Sequence, residues 1–100
     1  MKRYRISRDA RADLDEIFTY WAERPGLDVA DRLVDAIVER FWILAEYPDC
    51  GRKCDDIEPG MRCFPAGKYL IYYHLRRRGV ESAHIFHGSR SQRKAWRKPD

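Results

Sequence analysis

The chain has 100 residues, 44% hydrophobic and 36% charged, with 20 Lys plus Arg against 16 Asp plus Glu and a formal charge of +4. A chain this short builds one core that buries about 65% of the unfolded surface, which excludes two independent domains, and 13% aromatic residues exclude intrinsic disorder. No apolar run approaches the roughly 18 residues of a membrane span and the start MKRYRISRDARAD has no signal-like apolar stretch, so one cytoplasmic domain over residues 1–100, without membrane contact, is expected.

Residues 3–6, Arg-Tyr-Arg-Ile, alternate and read as a short strand. Ser7 is the expected N-cap of a helix over 8–23, in which Ala10, Leu14, Ile17, Phe18 and Trp21 form one stripe, and Pro25-Gly26 ends it. Asp28 is the expected cap of a second helix over 28–46, where Ala30, Leu33, Val34, Ile37, Phe41 and Leu44 repeat that spacing until Pro48 forbids continuation. The short link predicts an antiparallel hairpin whose outer face, with Asp15, Glu16, Asp31, Asp35 and Glu39, is acidic and solvated. Residues 48–60 have loop composition. Strands are expected over 61–65, 68–75 and 80–87, with turns at Ala66-Gly67 and 76–79, and Pro65 suits only a strand end or an edge. Period-two alternation places Ile71, Tyr73 and Leu75 on one face of the second strand, and Ala83 and Ile85 on one face of the third, toward the helices. The fold class that follows is α+β: a short N-terminal strand and an antiparallel helical hairpin packed on a mainly antiparallel sheet of three to four strands.

Charge divides by region. Residues 9–60 hold 14 acids and 6 bases, whereas residues 1–8 and 61–100 hold 14 bases and 2 acids, so the molecule is expected to be electrically two-sided, with an anionic partner for its basic half. The odd set Cys50, Cys54 and Cys63 cannot pair fully within one chain, and its spacing completes no zinc finger with His74, His84 or His87. No metal and no cofactor are expected.

Several short runs carry a resemblance: Tyr4-Arg-Ile-Ser7 leading to Ala10, Asp13-Leu14, Ile17 and Tyr20; Tyr47-Pro48 followed by Gly51-Arg52; and residues 56–62, Asp-Ile-Glu-Pro-Gly-Met-Arg. Residues 67–73, Gly-Lys-Tyr-Leu-Ile-Tyr-Tyr, and 85–90, Ile-Phe-His-Gly-Ser-Arg, complete the set. In order and spacing they resemble the ParE branch of the ParE/RelE superfamily of bacterial toxin-antitoxin toxins, over nearly the whole chain. The resemblance implies a helical hairpin on an antiparallel sheet and a cognate, ParD-like antitoxin that binds and silences the toxin. It also implies one of two targets: ParE-like members resemble non-catalytic DNA gyrase poisons, while RelE-like members cut messenger RNA on the ribosome.

Cutting RNA by attack of its own 2′-hydroxyl requires a proton acceptor, a proton donor and cations for the phosphorane charge. His87, His74 and the tyrosines are candidates for the proton transfers, and Arg62, Lys68 and Arg90 for the phosphate, so a catalytic reading rests on Arg62, His87 and Arg90. RelE-like nucleases tend to carry Tyr or His in the C-terminal segment, and the residues after Arg90 include neither. A non-catalytic gyrase inhibitor is therefore the primary expectation, with Arg62, Arg90, Arg93, Lys94 and Trp96 as target-binding residues and Trp96 as the anchor of the basic tail, residues 91–100. Structural alternatives stand beside these roles: His87 as a hydrogen-bonding strand end, and Arg62 as a clamp on Asp55, Asp56 or Glu58. Tyr69, Tyr72 and Tyr73 are expected in sheet packing, and 76–78 as a solvated turn.

Overall fold

In the computed structural model, residues 3–77 and 79–88 are described. Strand β1 (Arg3–Ile6) leads into helix α1 (Arg8–Glu23), then α2 (Leu27–Glu46), a 3-10 turn (Pro48–Cys50) and strands β2 (Arg52–Lys53), β3 (Met61–Ala66), β4 (Tyr69–Arg76) and β5 (Gly79–His87). One sheet runs in the order β1-β5-β4-β3-β2, antiparallel except for the parallel pair β1 and β5. The α+β class is as expected. The sheet also gains a strand inside the segment read as loop, because Arg52 and Lys53 pair with Cys63 and Arg62. That pairing stops at Cys63, so Pro65, which has no N–H to offer a further neighbour, lies on open edge.

Ser7 caps α1 as its position predicts: Oγ accepts from the Ala10 amide at 3.0 Å and donates to the Ala83 carbonyl at 3.0 Å, tying the helix start to β5. The cap of α2 differs from expectation. Gly26, at φ 126°, is the N-cap and the helix begins at Leu27, which leaves Asp28 in the first turn, where its charge suits the helix dipole. The first β-turn also shifts by one residue, to Gly67-Lys68, because Gly67 alone takes the positive φ of 63°.

The helix stripes meet the sheet as the periodicity predicts. Ala10, Ile17, Ile37, Phe41 and Leu44 are buried with Ala66, Tyr69, Ile71, Tyr73, Val80 and Ile85. Tyr4 stacks on Phe41, ring centres 4.5 Å apart. Two of the expected strand positions are corrected. Leu75 is 40% exposed, since it pairs with Val80 one step from the hairpin turn, and Tyr69 takes the inward position at the other end of β4. In β5 a bulge breaks the alternation: Tyr72 pairs with His84 but Tyr73 with Ser82, so Ala83 is the extra residue. Val80 and Ser82 are buried before the bulge and Ile85 after it, while Ala83 packs with the second cluster.

That cluster covers the opposite sheet face, where Cys54, Met61, Cys63 and Tyr72 pack with Ile57, Leu70, Ala83 and Phe86. The acidic segment 54–60 therefore lies against the face away from the helices. Charge divided by sequence is not charge divided by face. Arg76, read as part of a solvated turn, instead pairs with Glu81 through two nitrogens at 3.2 and 3.1 Å.

Asp13 finishes the β1 edge. Its Oδ2 accepts the Ile85 amide at 2.9 Å and lies 3.1 Å from His84 Nδ1, so a carboxylate takes over where β1 stops pairing with β5 at Ser82. Asp13→Ala strips a part-buried amide of its acceptor and is expected to cost about 1–3 kcal/mol, read as a lower urea midpoint at unchanged slope.

Burial also sets an alkaline limit. It pushes the hydroxyls of Tyr72 and Tyr73 from 10.0 up to about 12 and the Cys63 thiol from 9.0 up to about 12, and moves the Tyr4 hydroxyl in the same direction. The unfolded chain releases these protons first. Stability is therefore full below about pH 9, declines as the unfolded groups ionise, and reaches its lower level once the folded groups titrate near pH 12. Urea midpoints measured from pH 7 to 11.5 are expected to stay flat, then fall.

Candidate functional site

Residues Asp13, Glu16, Ile17 and Tyr20 recur at helical spacing, so α1 presents them on one side, next to Trp21. Facing them are Lys68 in the turn before β4, Tyr69 at the start of β4, and Ile85, Phe86 and His87 at the end of β5. Together they line an open cleft of about 470 Å³. Trp21 Nε1 donates to the Tyr69 hydroxyl at 2.8 Å, which fixes both rings, and His87 meets Tyr69 edge-on at 5.2 Å and 79°. On the rim, Arg24 stacks over the Tyr20 ring at 3.6 Å. The strand end is closed by the Gly88 amide donating to the Lys68 carbonyl at 2.7 Å. The cleft thus has aromatic walls, carboxylates on the helix side and Lys68 and His87 on the strand side. Such a lining suits an apolar group with a charged end.

Arg62 is elsewhere. Its Nη1 donates to the Gly51 carbonyl at 2.7 Å and the Asp49 carbonyl at 3.2 Å, and Nη2 lies 3.8 Å from Asp49 Oδ1. It is a clamp, as one reading held, but on the 3-10 turn and not on Asp55, Asp56 or Glu58. Asp55 instead accepts from the Gly60 amide at 2.8 Å, and Glu58 lies 3.5 Å from His74 Nε2. Tyr73 completes the clamp, its hydroxyl accepting from the Gly51 amide at 2.9 Å and donating to the Pro48 carbonyl at 2.8 Å.

The sheet register separates Arg62 from His87. Arg62 pairs with Tyr73 and His87 with Tyr69, four residues apart on β4, which is about 13 Å along the strand. Arg90, Arg93, Lys94 and Trp96 lie outside the described residues. Tyr69, Tyr72 and Tyr73 are buried in packing, as expected. Among the described residues no group of three or more His, Cys, Asp and Glu is placed to hold a metal ion, and no helix is long and apolar enough to cross a membrane.

Sequence reasoning missed the Trp21–Tyr69 bond and the role of Asp13. A signal existed for Asp13, a carboxylate set beside the apolar stripe of Ala10, Leu14 and Ile17. Nothing local pointed to the bond, whose partners are 48 residues apart.

The model of the ParE toxin of type II toxin-antitoxin systems, parDE, matches residues 4–92. Toxin ParE1 of Caulobacter vibrioides is 33% identical over 93 residues, covering 93% of this chain and 96% of the relative. Toxin ParE1 of Mycobacterium tuberculosis is 31% identical over 86 residues, covering 85% and 88%. Among solved structures, a chain of the chromosomal ParDE system from P. aeruginosa superposes with a TM-score of 0.77 at 22% identity, covering 87% of this chain and 96% of that one. A chain of the RelBE2 toxin-antitoxin complex of Mycobacterium tuberculosis gives 0.66 at 21%, covering 86% and 96%. At these identities the two structures speak for the fold alone.

Proposed function

This chain belongs to the ParE toxin family of type II toxin-antitoxin systems, and from that premise we propose that it inhibits DNA gyrase by direct binding, without catalysis, and is silenced by a cognate ParD-like antitoxin. The observation that carries the binding reading is the position of Arg62. Its guanidinium is held by Asp49 and Gly51, and its backbone position lies about 13 Å along the sheet from that of His87, so the clamp holds Arg62 away from the cleft. The cleft and the basic segment that follows it offer recognition surface instead. Residues 89–100 contain five bases, one acid and Trp96, a composition suited to an anchored contact with an anionic partner.

The test is paired. Purified toxin is added to gyrase with supercoiled or relaxed DNA, and separately to translating ribosomes with messenger RNA. Lost supercoiling or trapped DNA cleavage is the expected result, with intact messenger RNA. Codon cleavage with gyrase untouched would install the ribosome-dependent endoribonuclease in its place.

The antitoxin is expected to contribute a segment with acidic and apolar residues that orders against the basic residues of 61–100. Calorimetric titration from 0.1 to 1 M NaCl should then weaken the complex without abolishing it, because the Debye length shrinks from about 10 to about 3 Å while apolar burial persists. Affinity independent of salt would count against this surface.

A further inference from the structure

Cys54 and Cys63 hold their sulfur atoms 3.1 Å apart, and each residue is 1% exposed. Backbone register explains the approach. Arg52 and Lys53 pair with Cys63 and Arg62, and the Cys54 amide continues the ladder by donating to the Met61 carbonyl at 2.7 Å. Cys54 and Cys63 are thus diagonal neighbours on one sheet face, packed with Met61 and Tyr72. A disulfide has its sulfurs about 2.05 Å apart, so about 1 Å remains to be closed. Cys50, by contrast, is exposed and belongs to the 3-10 turn.

We propose that Cys54 and Cys63 form a reversible oxidation site, converted by a hydroperoxide into an intramolecular disulfide that fastens the 54–60 segment to β3. One thiolate sulfur attacks a peroxide oxygen. The O–O bond breaks, the leaving oxygen departs as water or alcohol with a proton, and a sulfenic acid remains. The second sulfur then attacks the first, the S–O bond breaks, and water leaves. In sum, two thiols and one hydrogen peroxide give one disulfide and two waters.

Cys54 is the sulfur to react first, because it stands at the root of the segment that must lift to admit the oxidant. That segment is held by the Ile57 and Glu58 amides to the Cys54 carbonyl at 3.0 and 3.3 Å, the Met61 amide to the Glu58 carbonyl at 3.0 Å, the Gly60 amide to Asp55, Glu58 beside His74, and the packing of Ile57. Cys63 lies in β3 between two neighbouring strands, and burial together with Cys54 pushes its thiol up, so it is the poorer first nucleophile; it gives up its proton to the departing hydroxide as it attacks the sulfenic sulfur. The site is slow when the segment is closed and responds when it opens.

The experiment uses full-length Cys50→Ser protein, which removes intermolecular coupling through the exposed thiol. The reduced protein is treated with hydrogen peroxide, unfolded, alkylated with iodoacetamide and weighed. The expected product is monomeric, 2 Da lighter, takes up no alkyl group where the untreated protein takes up two, and returns to the reduced form with dithiothreitol. Its thermal midpoint should rise by about 10–20 °C, the scale of a short bridged loop in a domain this small. Two alkylated thiols after treatment, a gain of 32 Da from sulfinic acid, or disulfide-linked dimers would each overturn the proposal. Adding Cys54→Ser or, separately, Cys63→Ser must abolish the 2 Da loss, and a loss that survives either substitution would overturn it as well.

Discussion

Removal of residues 89–100 is expected to abolish gyrase inhibition while leaving the fold in place, and Trp96→Ala alone is expected to weaken it by roughly 30- to 1000-fold. That range is the effect of losing an aromatic anchor worth about 2–4 kcal/mol at the centre of an interface. The fold should survive because, among the described residues, the buried ones of both sheet faces lie between Ala10 and Ile85. Far-ultraviolet circular dichroism and a thermal melt check that point on the same preparations used for supercoiling assays. His87→Ala supplies the contrast. Under the binding reading it changes inhibition less than tenfold, since His87 contributes an edge contact with Tyr69 and part of one cleft wall. Under the endoribonuclease reading it would lower codon cleavage by about a hundredfold or more, the scale of a lost general acid or base. A truncated protein that still inhibits gyrase fully would refute the anchor.

Gly51→Ala is expected to destabilise the fold strongly, since Gly51 is the most crowded of the described glycines. A Cβ there would sit 2.8 Å from the Cys63 carbonyl oxygen and against the Tyr73 hydroxyl, inside the distances real side chains show. Neither neighbour can yield cheaply, because Cys63 is backbone in β3 and Tyr73 is completely buried. The expected cost is about 3 kcal/mol, at the upper end for overpacking. Tyr73→Phe tests the same knot without a clash. It deprives the Gly51 amide and the Pro48 carbonyl of their partner, at about 1–3 kcal/mol for each group left unsatisfied. In a domain of this size, each kcal/mol lowers the thermal midpoint by about 4–8 °C. Arg62→Ala removes the guanidinium from the Asp49 and Gly51 carbonyls and should lose stability as well. Urea denaturation beside the gyrase assay separates the roles of Arg62. If its clamp is its whole contribution, inhibition measured per folded molecule stays unchanged.

Both helices were legible in the amino-acid order because their determinants are local. The i, i+3, i+4 spacing of Ala10, Leu14 and Ile17, and of Ala30, Ile37, Phe41 and Leu44, is itself the geometry of one helix face, and Ser7 caps a turn only three residues long. The three long strands were legible for the same reason, since alternation and a Gly-containing turn act over a few residues. Their order along the chain followed from the same local reading, and the chemistry of RNA cleavage grouped Arg62, His87 and Arg90 as candidates. What the linear sequence could not decide was where partners far apart along the chain would meet. Ala83 faces away from the helices because one residue more lies in β5 than in β4 across the bulge, and no period within either strand records that count. Leu75 obeys the alternation but reaches past the covered part of the sheet. Asp13 closes an edge 72 residues away, Trp21 meets Tyr69 across 48, and Tyr73 holds Gly51 across 22. Each of these contacts forms only after the layers have packed, because burial is what denies the polar groups water and leaves them only partners within the protein. Tertiary structure thus decided that Arg62 binds its own turn while His87 faces the cleft.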